Sequence, residues 1–227
     1  MCGRFTLAID AQALMQNFPG LLERVPEEYQ PRYNIAPTQE VLVLRSGKQN
    51  AQFLRWGLVP FFWKQPKLPP ASFNARDDKL LESGMWRTSF HRKRCLIPAD
   101  GFYEWRKDGK VRIPMRIVLK NHKPFAFAGL WDEWTNPETK DKMRSCTIIT
   151  TAPNSLMAAI HDRMPVILPP SDYAPWLDPA NDNPQTLMEF IGPYPPEEMD
   201  AYQVSDAVGN VRNTGPELIE PVEAPLT

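Results

Sequence analysis

The sequence predicts an α+β domain dominated by strands, built as a twisted, mostly antiparallel sheet or an open barrel with a few short helices. The 25 prolines are scattered over 227 residues and cut the chain into short elements, which argues against a helical bundle. A hairpin signal near the middle and several short runs rich in β-branched and aromatic residues favour strands. We assign residues 1–222 to a single domain and residues 223–227 to a C-terminal tail.

Three short helices are predicted, and their ranges are 11–22, 155–161 and 171–177. Apolar residues recur three or four positions apart in the first of them, which is the spacing of a buried helix face. Asp10 and Asn154 stand directly before the first two helices, where such side chains accept hydrogen bonds from unpaired backbone N–H groups. Both residues are therefore predicted N-caps.

The clearest strand signal is a hairpin whose arms cover residues 101–107 and 112–119 around Asp108-Gly109. Pro114 lies in the second arm and cannot donate a backbone hydrogen bond, so we expect a sheet edge or a bulge there. The remaining predicted strands cover residues 41–45, 52–56, 124–131 and 145–151. The last dozen residues contain three prolines and are predicted to form an extended arm.

The net charge of −1 conceals a basic middle and an acidic end. Residues 87–123 hold 11 Lys and Arg against 3 Asp and Glu, whereas residues 171–227 hold 1 Arg against 11 Asp and Glu. A basic segment can bind phosphates. It can also form solvated strand faces with internal ion pairs, and both interpretations remain open at this stage.

Several protein classes are disfavoured by the sequence. It has no run of 18 apolar residues and no N-terminal secretory signal, so we expect neither a membrane span nor export. The three cysteines are typical of a reducing compartment, and no Cys or His pair has zinc-finger spacing. We expect a cytoplasmic monomer, nucleoid-associated if bacterial, that uses no metal and no cofactor.

Cys2 has the most distinctive chemistry in the chain. Removal of Met1 would place a thiol and a free α-amine on one residue, with ordinary pKa values of about 8.5 and about 7.7–8.0. Part of the amine is then neutral and nucleophilic near pH 7. Such an aminothiol condenses with an aldehyde to a Schiff base, which the sulfur closes to a thiazolidine ring, or it acts as an N-terminal nucleophile.

Six motifs identify a family. They are Met-Cys-Gly-Arg-Phe at 1–5, Arg-Tyr-Asn-Ile-Ala-Pro at 32–37, Trp-Gly-Leu-Val-Pro at 56–60, Asn-Ala-Arg at 74–76, Pro-Ala-Asp-Gly-Phe-Tyr-Glu-Trp at 98–105 and Ile-His-Asp-Arg-Met-Pro at 160–165. In these motifs and in their order the chain resembles the SOS response-associated peptidase (SRAP) family. The resemblance implies that the protein removes its own Met1 and crosslinks through Cys2 to abasic sites in single-stranded DNA, with peptidase-like and lyase-like activity in the DNA damage response.

Glu104, Asn74 and His161 are the other predicted catalytic residues. A carboxylate desolvated among the aromatic neighbours of Glu104 has a raised pKa, which suits the proton transfers of Schiff-base formation and the activation of Cys2. The resemblance implies that Asn74 holds the Cys2 amine or the opened sugar and that His161 serves as acid and base at the sugar oxygen. Purely structural roles remain open for each: a solvated strand glutamate, a turn asparagine and a histidine at a helix end.

DNA contacts are predicted for four residues. Arg4, Arg76 and Arg163 are adjacent in sequence to the chemical residues, which suits phosphate binding without sequence readout. Trp63 either stacks on a base or packs in the core, and the sequence does not decide between these roles. The acidic C-terminal end offers no DNA-binding tail.

Two other function classes compete with this interpretation. Glutamine amidotransferases of the N-terminal nucleophile type also begin Met-Cys-Gly, but with an aliphatic residue next, where this chain has Arg4 and no Asn-Gly dipeptide anywhere. A noncatalytic single-strand binder with an incidental cysteine is the other. A general protein protease is disfavoured, because the cleavage implied is that of Met1 alone.

Overall fold

Strands dominate the computed structural model, which describes residues 2–45, 51–70 and 72–222. Within these ranges the strands are β1 (Phe5–Leu7), β2 (Arg32–Ile35), β3 (Glu40–Arg45), β4 (Gln52–Trp56), β5 (Asn74–Arg76), β6 (Arg94–Ala99), β7 (Gly101–Asp108), β8 (Val111–Leu119), β9 (Phe125–Thr135), β10 (Lys142–Thr151), β11 (Met164–Pro165), β12 (Ile167–Leu168) and β13 (Met199–Gln203). The α-helices are α1 (Ala11–Asn17), α2 (Arg87–Arg92), α3 (Ser155–Ala158), α4 (Pro170–Leu177) and α5 (Pro184–Met188).

The strands form a sheet and a closed ring. The sheet has the strand order β13-β8-β7-β1-β2 and is antiparallel throughout. In the ring, β10 pairs with both β4 and β9, so that β4, β3, β6, β9 and β10 close into a five-stranded barrel in which only the β10–β4 pair is parallel. The predicted α+β class with a mostly antiparallel, barrel-like sheet is confirmed.

An aromatic cluster joins the sheet to the barrel. The ring of Phe5 on β1 contacts Trp56 on β4 edge-on at 5.1 Å and Phe127 on β9 at 5.7 Å, and Phe102 on β7 contacts Phe127 at 6.0 Å. All four side chains are fully buried. Burial of this apolar area fixes β1 and β7 against the barrel, and β1 begins three residues after Cys2.

Helix α1 is shorter than predicted. Asp10 is the N-cap as expected and accepts a hydrogen bond from Ala13 N at 2.8 Å. The helix ends at Asn17 rather than at residue 22, because Pro19 disfavours helical backbone at Phe18 and Gly20 turns the chain with a φ of +73°. Asn154 likewise caps α3 as predicted, by accepting from Met157 N.

The hairpin forms as predicted with two differences. Asp108 pairs with Val111, so the two-residue turn is Gly109-Lys110, and Gly109 supplies the positive φ of +57°. Pro114 does not lie at a sheet edge, because β8 is flanked by β7 and β13. It is tolerated there because β13 pairs with β8 only from Met115 onward.

The expected extended arm at the C-terminus is wrong for the part of it that the structure describes. Residues Pro216–Ile219 form a 3₁₀ helix, and Leu218 is completely buried in a small second core with Tyr103, Val204 and Val208. The Tyr103 hydroxyl donates to the carbonyls of Tyr33 and Leu218. The predicted tail, residues 223–227, lies outside the described residues. Among the helices that the structure describes, none is long and apolar enough to cross a membrane.

Gly129 is the position in the barrel where an added methyl group should cost most. A Cβ there would lie 2.9 Å from Cys95 Sγ, 3.0 Å from Ile97 Cδ1 and 3.1 Å from the backbone oxygen of Thr147. We expect Gly129→Ala to lower the free energy of unfolding by about 1–3 kcal/mol, as overpacking of a core does. Urea unfolding measures this, with Gly84→Ala as the control because its Cβ would meet nothing within 4 Å. Equal stability of the two variants would contradict the close packing at Gly129.

Candidate functional site

The site forms where the chain start meets the middle of β7. Phe5 pairs with Phe102 and Thr6 with Gly101, and Tyr103 N donates to Arg4 O at 2.9 Å. Continued by two residues, this register places Gly3 opposite Glu104. The antiparallel pairing of β1 with β7 thus brings Cys2 close to the candidate acid–base carboxylate.

Cys2 is fully buried, and its carbonyl oxygen accepts a hydrogen bond from Asn74 Nδ2 at 2.8 Å. Burial raises the pKa of the Cys2 thiol well above its ordinary value, and the nearby Glu104 carboxylate raises it further. The sulfur is therefore a neutral thiol at pH 7, and its proton must be accepted by another group when the sulfur attacks an electrophile.

Asn74 is fixed by β5, which pairs in parallel with β10 so that Asn74 lies beside Ile148. While Nδ2 is committed to Cys2, Oδ1 is buried and accepts no hydrogen bond from the described residues. A buried carbonyl oxygen in this state favours a donor, which is the role that an incoming amine or hydroxyl group would fill.

Glu104 and His161 face each other. Glu104 is 4% exposed, and its Oε2 lies 4.0 Å from His161 Nε2. Burial raises the pKa of the Glu104 carboxyl, and the neighbouring histidine opposes the shift. This burial excludes the alternative of a solvated strand glutamate, and the pair has the groups needed to exchange protons with a ligand in contact with them.

The backbone of His161 is anchored by a hydrogen bond from its N to Met157 O at 2.7 Å, one turn back at the end of α3. Its Nδ1 lies 3.1 Å from Arg163 N and 2.8 Å from Asp162 Oδ1. The contact with Arg163 N requires Nδ1 to accept a hydrogen bond and carry no proton, whereas the contact with Asp162 requires Nδ1 to carry one. We assign the contact with the backbone N–H, because that donor is fixed while the Asp162 side chain is 87% exposed. Neutral His161 then carries its proton on Nε2, which faces Glu104.

A cleft of about 380 Å³ opens over this pair. Its lining residues are Gly3, Arg4, Glu104, Trp105, Lys107, Arg112 and His161. The cleft therefore combines a carboxylate and an imidazole with an edge of three cations, a composition suited to an anionic ligand.

Arg4 lies at this cleft but is tied to the protein. Its Nη1 donates to Asn34 Oδ1 at 2.7 Å and to Val208 O at 2.8 Å. Asn34 in turn donates to three carbonyls of the C-terminal segment, those of Val208, Asn210 and Asn213. Asn34 was not predicted as a site residue, although its motif was singled out; its structural role is to fasten the C-terminal segment to the chain start through Arg4.

Arg76 and Arg163 are both paired with aspartates that directly follow β5. Arg76 is exposed and forms a two-pronged pair with Asp78 at 2.8 and 2.9 Å. Arg163 is largely buried, and its Nη2 donates to Asp77 at 2.8 Å and to the Thr150 carbonyl. These aspartates were not predicted as partners. A phosphate would have to compete with a carboxylate at each arginine, so their DNA contact stays a prediction.

Salt titration tests whether these two arginines bind phosphate. If each binds one phosphate, Arg76→Ala and Arg163→Ala should each reduce the slope of log affinity against log salt by about 0.7 on single strands. Arg24→Ala is the control, because Arg24 is also exposed and paired with a carboxylate, Glu27, by an i,i+3 salt bridge. Affinities and slopes equal to those of the control would remove both arginines from the interface.

Trp63 is half-buried, and its indole N–H donates to Lys67 O while its own carbonyl accepts from Trp134. The more exposed aromatics are its neighbours Phe61 and Phe62, which are 52% and 45% exposed and pack edge-on at 5.4 Å. The sequence analysis missed these two, although the run Phe61-Phe62-Trp63 contained the signal. Exposed rings next to a cation, here the Lys93 ammonium 5.4 Å from the Phe61 ring, suit base stacking.

The chain is similar to several known proteins over nearly its whole length. A sequence profile described as SOS response associated peptidase (SRAP) matches residues 1–211. The abasic site processing protein YoqW of Bacillus subtilis is 46% identical over 224 residues, or 97% of this chain and 99% of that protein. YoaM of Bacillus subtilis, also an abasic site processing protein, is 43% identical over 229 residues, or 97% and 98% of the two chains. A crystal structure of a protein from Bacteroides thetaiotaomicron matches with a TM-score of 0.83 at 25% identity, covering 97% of this chain and 100% of that one.

Proposed function

The chain belongs to the SOS response-associated peptidase family, and we propose that it processes abasic sites in single-stranded DNA by forming a covalent thiazolidine crosslink through Cys2. The observation that carries the proposal is the clustering of four residues: Glu104 and His161 face each other at the cleft, and the buried Cys2, which Asn74 holds by its carbonyl oxygen, lies close to Glu104. The crosslink would shield the lesion during the DNA damage response. Family membership disfavours the amidotransferase alternative.

The first step is the removal of Met1. The Cys2 sulfur attacks the Met1 carbonyl, its proton passing to Glu104, and acyl transfer to sulfur breaks the Met1–Cys2 peptide bond with the proton going to the new α-amine. Water then hydrolyses the thioester, releasing methionine and restoring the thiol. Glu104 suits this role because it lies buried close to the Cys2 thiol, and burial raises its pKa above the ordinary value, which makes the carboxylate a better proton acceptor.

The second step joins protein and DNA. An abasic deoxyribose opens to an aldehyde as His161 donates its Nε2 proton to the ring oxygen. The Cys2 amine adds to the aldehyde, and Glu104 donates the proton on which the carbinolamine loses water. The sulfur then adds to the resulting iminium carbon, and its proton is released to Glu104. One water leaves overall, and Asn74 Oδ1 accepts a hydrogen bond from the amine or a sugar hydroxyl throughout.

Intact mass spectrometry of the purified protein tests the proposal. The mass alone should equal that of the chain without Met1. After incubation with a single-stranded abasic oligonucleotide, the adduct should equal the sum of the two masses less one water. A Cys2→Ala variant that retains DNA as firmly as the wild type would instead indicate a noncatalytic single-strand binder.

Met1 removal is expected to be autocatalytic. In cells with reduced methionine aminopeptidase activity, wild-type protein should lose Met1, whereas Cys2→Ala and Glu104→Ala should keep it because nucleophile or proton acceptor is missing. N-terminal peptide mass spectrometry gives the processed fraction of each. Equal retention of Met1 in all three proteins would contradict self-processing.

A further inference from the structure

The tip of the β7–β8 hairpin is strongly basic and has no part in the chemistry described above. Over residues 106–112 it carries Arg106, Lys107, Lys110 and Arg112 against a single carboxylate, Asp108. We call this segment the basic tip. Lys107, Lys110 and Arg112 are exposed, and among the described residues none of these three has an ion-pair partner.

Two of these cations are placed against each other. Lys107 pairs directly with Arg112 across the hairpin. Side chains at such positions have Cβ atoms about 4.5–5.5 Å apart, and like charges there destabilise the strand pair. The arrangement disfavours the interpretation of this basic stretch as a solvated face with internal pairing, because the pairing is between like charges.

The same two residues belong to the lining of the cleft that holds Glu104 and His161. Three residues of strand separate Lys107 from Glu104, which is about 10 Å along β7. The cations therefore lie at the rim of the cleft, too far along the strand to touch the reacting sugar. They are well placed to contact the part of a ligand that extends from the reacting sugar out of the cleft.

The geometry points to the basic tip as a clamp for the sugar–phosphate backbone that leaves the cleft on one side of the lesion, with Lys107 and Arg112 each binding a phosphate. This inference rests on the proposed function for the identity of the strand. Two cations at one rim that have no ion-pair partner among the described residues favour a polyanion as the ligand. Long flexible cationic side chains bind the phosphates of a strand without contacting its bases.

The test is a charge-neutralising pair of substitutions with a control pair beyond the far end of the hairpin. Lys107→Gln with Arg112→Gln is compared with Lys120→Gln and Lys123→Gln, which follow the opposite end of β8. Arg112 and Lys120 are eight residues apart, about 27 Å along the strand, and the net charge change is the same. Anisotropy with a lesion-free single-stranded oligonucleotide gives affinity over a salt series, and single-turnover adduct formation with an abasic one gives the limiting rate.

For the tip variant we expect the magnitude of the salt slope to fall by about 1.4, because two phosphate contacts are lost. The ratio of wild-type to variant affinity should then be roughly 25-fold larger at 0.1 M salt than at 1 M salt. The limiting rate of adduct formation, measured at saturating abasic oligonucleotide, should fall much less than the affinity, because the two residues act in binding the strand. The control pair should keep the wild-type slope. A tip variant with wild-type affinity and slope, or equal losses in both pairs, overturns the inference.

A single charge reversal separates phosphate binding from a structural role. Lys107→Glu would place opposite charges across the hairpin, so thermal stability should hold or rise while DNA affinity falls. Parallel losses of stability and affinity would overturn the clamp. Failure of the wild type to form any adduct would refute the proposed function instead, and the anisotropy measurement on lesion-free DNA would still decide the inference about the basic tip.

Discussion

Protein that keeps a residue in front of Cys2 should form no stable adduct with an abasic oligonucleotide, although its thiol is intact. A thiazolidine needs both the amine and the sulfur of one residue, and a blocked amine cannot condense with the aldehyde. The experiment compares protein released by a specific protease with Cys2 as its first residue and protein released with one serine before Cys2, for which intact mass shows that the serine is still present when the DNA is added. Denaturing gels without reductant measure the covalent fraction.

The gel conditions matter because they distinguish the chemistries. A Schiff base from a lysine needs borohydride trapping to survive denaturation, whereas a ring with two single bonds to the former aldehyde carbon does not. Cys2→Ser should react much more poorly, since a hydroxyl is a weaker nucleophile and its ring is less stable. The remaining cysteines, Cys95 and Cys146, are fully buried and should not contribute. An adduct of equal yield from the serine-extended protein would exclude the aminothiol mechanism.

Local patterns were enough to locate much of the fold. The caps Asp10 and Asn154, the hairpin and the strands β3 and β4 were all predicted, because capping, turn chemistry and strand propensity act within a few residues. The end of α1 was missed although Pro19-Gly20 signalled it. Strand β6 was missed because it contains Pro98 and follows directly on a basic segment.

What sequence reasoning did not predict depends on contacts between distant positions. Arg4 donates to Val208 O, 204 positions away, and this contact decides that its guanidinium is partly committed to the protein. The pairing of Arg163 with Asp77 spans 86 positions. The buried C-terminal 3₁₀ helix depends on Leu218 finding Tyr103. Periodicity contains no information about such pairs.

The candidate catalytic set shows the same division. Cys2 carried a chemical signal on its own, because its position alone creates the aminothiol. Glu104 carried only a weak one, since a strand glutamate is ordinarily solvated, and its burial becomes evident only when β1 is laid beside β7. The direction of the Glu104 pKa shift therefore follows from tertiary structure.

Glu104→Gln should slow adduct formation by about 10²–10⁴-fold, the usual contribution of a positioned acid–base group, in protein released with Cys2 already at its N-terminus. That preparation removes Met1 processing from the comparison, so any loss belongs to the crosslinking step itself. Glu138→Gln is the control, because Glu138 is exposed in the β9–β10 turn, away from the lining of the cleft. Quenched-flow or gel time courses at saturating DNA give the rates.

The same substitution should stabilise the fold at neutral pH, opposite in sign to its effect on rate. Burial raises the pKa of Glu104 above its ordinary value of 4.5, so the folded state favours the protonated form. Its stabilising contribution is complete below the ordinary pKa and is lost as pH rises through the raised one. Glutamine stays neutral, so the stability gained by Glu104→Gln should be absent in acid and grow as pH rises through that interval. Urea unfolding at a series of pH values measures this difference. A Glu104→Gln variant that forms the adduct slowly and is also less stable than the wild type at pH 7 would mean that the carboxylate serves the fold rather than proton transfer.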